Sequence, residues 1–106
     1  MTVDAPDALL SQIAAILRDL AIPHMVVGSF ASTFHGEPRT TRDLDVVIDP
    51  SAPQLEQLLE RLDADRYYVD ADVARDALAR RTMFNVIEMA TAWKLDFVIR
   101  KARPDF

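Results

Sequence analysis

Three aspartates in this chain stand where chemistry could be done. Asp43 and Asp45 lie one residue apart at the head of a run, Val46, Val47 and Ile48, that reads as buried strand. Asp96 sits in a second such run, "KLDFVIR". Side chains alternate along a strand, so Asp43 and Asp45 point the same way, with backbones roughly 7 Å apart. Leu44, Val46 and Ile48 then point to the opposite face, into the helices. Asp96 is flanked by Leu95 and Phe97 just as Asp45 is flanked by Leu44 and Val46. Two carboxylates this close repel, and each loses hydration, which a cation between them relieves. Hard divalent ions such as Mg2+ take oxygen ligands and keep positions open for water and substrate phosphates. If the two strands are neighbours, three carboxylates converge on one side of the sheet. Such a set could hold two ions about 3.5–4 Å apart, steadying both the attacking and the leaving oxygen in phosphoryl transfer. The plainer reading is that Asp43 and Asp45 are solvated strand-edge charges paired with Arg39 and Arg42.

The residues upstream bear on that choice. Gly28 and Ser29 end one strand and open a short helix running to His35, which Gly36 closes. A helix N-terminus offers free backbone N–H groups and the positive end of a dipole, which suits a phosphate. Gly28 lets the backbone approach closely, and the Ser29 hydroxyl adds a donor. Alone, Gly-Ser is equally an ordinary strand-to-helix turn with serine as the cap. Together with Asp43, Asp45 and Asp96, it forms a constellation.

Stepping outward, the elements that must position these residues can be read from spacing. Leu9, Ile13, Ile16, Leu17 and Leu20 recur at three and four residues, predicting a first helix with Asp4 as cap and Pro23 as terminator. "HMVVG" follows as a short strand, "EPRTTRD" as a polar loop and "LDVVID" as a second strand. Ser51 caps another helix, with Pro53 in its first turn and Leu55, Leu58, Leu59 and Leu62 on one face. "RYYVD" reads as a short strand or an extended connection, and "ADVARDALARR" as a helix turning Val73, Ala77 and Leu78 inward. "TMFNVIEMA" and "KLDFVIR" are two further strands, close enough to form an antiparallel hairpin. The expected fold class is α/β (α+β): a small mixed sheet of about four to five strands with helices packed against it.

Composition limits the partners. The 106 residues have room for one domain, here taken as 1–106. Twelve basic against seventeen acidic residues give a net charge of −5, which argues against a broad basic face for nucleic acid. Without cysteine there is no disulfide and no thiolate zinc site, and a reducing cytoplasm is the expected home. The start "MTVDAPDALL" lacks the charge and apolar run of a signal peptide, and no apolar stretch reaches membrane-spanning length, so no membrane partner is expected.

The pattern of Gly28-Ser29, a thirteen-residue spacer, Asp43-x-Asp45 and a third acid, Asp96, on a later strand resembles the nucleotidyltransferase fold of the DNA polymerase beta superfamily. Within it, the stretch from Gly28 to Asp49 is most similar to AbiEii-type toxin nucleotidyltransferases of bacterial toxin–antitoxin systems and their relatives. Those share Gly36, Arg39, Thr40 or Thr41, Asp43 and Asp45. The resemblance runs from about Leu9 to Ile99. It implies that Gly28 and Ser29 bind the triphosphate of a nucleoside triphosphate such as ATP. It implies that Asp43, Asp45 and Asp96 hold Mg2+ (or Mn2+), with Asp96 helping to deprotonate an acceptor hydroxyl on RNA or protein. Arg39 or Arg42 would neutralise phosphate charge or pair with Glu37 and the nearby aspartates. Larger relatives continue into a C-terminal helical region, whereas this chain ends at "RKARPDF". It is therefore read as a minimal domain, needing an antitoxin, another partner or a second subunit to supply the acceptor surface, or as a piece of something longer. The alternative function is a non-catalytic nucleotide-binding or protein-interaction module of the same fold.

Other residues carry less. His35 is read as a partner for a helix end, His24 as having no chemical role, and Trp93 as packing at the hairpin turn. Tyr67 and Tyr68 are read as half-buried, and Glu88 as a neighbour of Asp96 on the adjoining strand or as an edge charge.

Overall fold

The computed structural model describes residues 6–27 and 43–101. In chain order these form α1 (Pro6–Asp19), β1 (His24–Val27), β2 (Asp43–Ile48), α2 (Ala52–Arg61), β3 (Tyr67–Tyr68), α3 (Ala71–Arg80), β4 (Met83–Glu88) and β5 (Trp93–Ile99). The strands make one mixed sheet in the order β1-β2-β5-β4-β3. Only β2 and β5 run parallel; the other three pairings are antiparallel. The expected mixed sheet with packed helices is what the chain forms.

Alternation in the strands makes the core. Leu44, Val46 and Ile48 of β2, Leu95, Phe97 and Ile99 of β5, and Phe84 and Val86 of β4 are all buried on one face. Phe84 and Phe97 pack with ring centroids 5.3 Å apart. Leu9, Ile13 and Leu17 of α1, Leu55 and Leu58 of α2, and Ala74 and Ala77 of α3 close over them as a single cluster. The intervening residues Asp43, Asp45, Lys94 and Asp96 are left partly exposed on the other face.

Local signals decide where the helices start. Ser51 accepts from the backbone N–H of Gln54, while the Gln54 side chain accepts from the Ser51 N–H, completing the capping box. The same Gln54 amide donates to the carbonyls of Leu20 and Ala21, tying the head of α2 to the tail of α1. Asp70 caps α3 by accepting from Asp72 and Val73.

Helix endings depart from the sequence reading. α1 stops not at Pro23 but at Ala21, which takes a left-handed conformation (φ 59°). The Ala21 N–H bonds to Arg18 and the Ile22 N–H to Leu17, closing the helix with a Schellman motif on an alanine rather than the usual glycine. Buried Leu17 and Ile22 make the apolar pair that accompanies such a cap. In α3, Val73 is 49% exposed and Ala74 takes the inward position instead. With the phase set by the Asp70 cap, the stripe that meets the sheet is Ala74, Ala77 and Leu78, one helical face at three and four residues. Trp93 is buried in the core, as is Tyr67, whose hydroxyl donates to Gln12; Tyr68 is exposed. The predicted cap Asp4 lies outside the described residues.

Candidate functional site

The partly exposed face of the sheet is organised as rows across three strands. In one row Asp45 of β2 stands opposite Asp96 of β5, which stands opposite Asn85 of β4. In the next row Asp43 stands opposite Lys94, which stands opposite Ile87. On the other side Val47, Val98 and Met83 form an apolar row. Because β2 and β5 are adjacent and parallel, Asp45 and Asp96 have backbones only about 4.8 Å apart and side chains on the same side. The three aspartates singled out in the sequence are thus brought to one patch.

The charges of that patch are partly balanced. Lys94 places its ammonium 4.0 Å from the Asp43 carboxylate, and both side chains are rather more than two-fifths exposed. Asn85 donates from Nδ2 to Asp96 Oδ1 at 2.6 Å, a short bond of the kind a charged acceptor makes. The Asp96 carboxyl is held above its usual range. Burial is the main cause, and the Asp45 and Asp43 charges push the same way against the Asn85 hydrogen bond and the Lys94 charge. Asp45 has no hydrogen bond or salt bridge among the described residues. Such a group gains from any cation that approaches it.

The donor chemistry fits a hard divalent ion: three carboxylates, no sulfur and no imidazole on this face. The fit is one of ligand type and strand register. Among the described residues no three His, Cys, Asp or Glu side chains are drawn together closely enough to hold an ion.

Gly28, Ser29, Arg39 and Arg42, with His35, Gly36, Thr40 and Thr41, lie outside the described residues. The last described residue before that segment, Val27, pairs with Asp45 at the end of β1, and Gly28 and Ser29 follow it in the chain.

Two assignments change. Glu88 is not beside Asp96: it pairs with Trp93 at the far end of β4, accepts from Thr91 and faces Arg66 at 3.7 Å. The residue that does stand beside Asp96 is Asn85, which spacing alone did not single out. Knowing that the hairpin closes at Glu88 and Trp93 would have placed Asn85 there, but loop length is not legible from composition. Lys94, noted only as sharing the face of Asp96, is the cation of the patch. His24 is tied to the backbone, its Nδ1–H donating to the Ile22 carbonyl at 2.9 Å.

A separate groove of about 430 Å³ lies at the opposite end of β2. Pro23, Met25, Val47 and Ile48 give it an apolar floor, and Asp49 and Arg100 give it a polar rim. Asp49 there is paired with Arg81 and Arg100 at 3.7 and 3.8 Å. The groove contains none of the three aspartates, so chemistry rather than size marks the candidate site.

No protein-family model matches the chain, and no curated protein matches it significantly. Among the described residues no helix is long and apolar enough to cross a membrane.

Proposed function

We propose that this chain is a metal-dependent nucleotidyltransferase of the DNA polymerase beta type. The observation that carries the reading is the opposition of Asp45 and Asp96 on adjacent parallel strands, with Asp43 one step along the same face. Asp43, Asp45 and Asp96 would hold Mg2+, which supplies charge neutralisation at the transferring phosphoryl group. Gly28 and Ser29 would seat the triphosphate, with Arg39 or Arg42 against its charge. An acceptor hydroxyl oxygen bonds to the α-phosphorus, the bond from that phosphorus to the bridging oxygen breaks, and pyrophosphate leaves. The hydroxyl proton passes to Asp96, whose raised affinity for a proton suits a base. The surplus of acidic residues supports an acceptor, RNA or protein, that is gripped by a partner rather than by a basic face of this domain. The finer assignment, the toxin of a toxin–antitoxin pair, rests on the sequence resemblance between Gly28 and Asp49.

A second reading, a nucleotide-binding or interaction module without turnover, draws on Lys94, which already balances Asp43 where a metal would sit. One experiment separates the two. Melting is followed with Mg2+ plus ATP, CTP, GTP or UTP, for the protein and for Asp43→Ala/Asp45→Ala, alongside transfer of labelled nucleotide to RNA or protein. Stabilisation and transfer, both lost in the double variant, support the enzyme. Stabilisation without transfer supports the module, and no response to any nucleotide removes both.

A further inference from the structure

We propose that Asn85 is a positioning residue for Asp96, holding one carboxylate oxygen so that the other is presented to a divalent ion shared with Asp45. This inference rests on the metal-dependent reading above. Asn85 is an amide on the open face of a strand whose other open-face residues, Met83 and Ile87, are apolar. Its one side-chain hydrogen bond among the described residues goes to Asp96 Oδ1, at 2.6 Å. Asp96 lies between Asn85 on the β4 side and Asp45 on the β2 side. The terminal torsion of an aspartate is broad and roughly two-fold, so an unheld carboxylate facing another carboxylate would turn away from it. A donor on the β4 side fixes the rotation and leaves Oδ2 as the oxygen free of Asn85. A neutral amide does this without cancelling the charge that a metal needs, as a lysine in that place would. Groups that orient a metal ligand in this way commonly account for a 10–100-fold difference in metal affinity. The bond lies on an exposed part of the sheet, where a single hydrogen bond adds little to folding.

The test uses Mn2+ alone as the probe, titrated through the millimolar range, with paramagnetic broadening of the Asp45 and Asp96 amide signals as readout. Wild type, Asn85→Ala and Asp45→Asn are compared, and each is also melted. Asn85→Ala should weaken Mn2+ binding by at least tenfold while its Tm stays within about 2 °C of wild type. Mn2+ binding that is lost in Asp45→Asn but unchanged in Asn85→Ala overturns this inference and leaves the proposed function standing. A large fall in Tm on Asn85→Ala makes Asn85 a folding residue and also overturns it. If wild type shows no site-specific broadening, the metal-dependent reading fails and takes this inference with it.

Discussion

Asp45→Asn should make the protein more stable. Asp45 and Asp96 face each other across adjacent strands, and Asp45 has no hydrogen bond or salt bridge among the described residues to offset its charge. With carboxylates about 5 Å apart, the repulsion is about 0.8 kcal/mol at the dielectric of water and about 3 kcal/mol at an effective dielectric of 20. Both groups are partly exposed and Lys94 is close by, so the low end applies, about 1 kcal/mol. For a chain of this size that corresponds to a rise in Tm of roughly 4–5 °C at neutral pH and low salt. The gain has a defined pH dependence. Because the folded-state pKa of Asp96 is raised, the folded protein holds a proton that the unfolded chain has already released. The repulsion is therefore present above that raised pKa, fades as pH falls through it, and is gone below the ordinary value of 3.8. Salt near 1 M, with a screening length of about 3 Å, should remove most of the effect at pH 7. Thermal unfolding by circular dichroism across pH and salt measures all three. A variant melting at or below wild type at neutral pH, or one keeping its full advantage near pH 3, would refute charge repulsion as the cause. A pair that costs stability and stays in place is what a ligand site requires.

Two further outcomes follow from how the helices are fastened. Ser51→Ala should cost about 1 kcal/mol by removing a cap, and Gln54→Ala about 2 kcal/mol because Gln54 also bonds the Leu20 and Ala21 carbonyls. Urea denaturation compares them, and equal costs would show that the link between α1 and α2 contributes nothing. Ala21→Gly should stabilise by roughly 0.5–1 kcal/mol, since left-handed alanine costs about 1–2 kcal/mol and glycine returns part of that gain as chain entropy. A lowered Tm would show that the left-handed turn does not strain the alanine.

Much of this molecule is written in short-range pattern. The alternation around Asp43–Ile48 and Trp93–Ile99 determined which residues are buried, because each strand has one apolar face and period two leaves no other choice. The Ser51–Gln54 cap was legible for the same reason: its atoms lie within one turn. Endings on Ala21 and Arg81 were not, since a left-handed non-glycine residue leaves no mark in composition and is held there by the packing around it. Nor was the inward turn of Ala74, whose phase depends on which face of α3 meets the sheet. For the site, the sequence by itself determined that Asp43 and Asp45 share a side and that Asp96 has the same kind of setting. Only the tertiary structure decided that β2 and β5 are parallel neighbours in the register that opposes Asp45 to Asp96, and that Asn85 and Lys94 are the groups answering those charges. The physical reason is that alternation acts within a strand, whereas register is settled between strands, by hydrogen bonds and core contacts among residues some fifty positions apart.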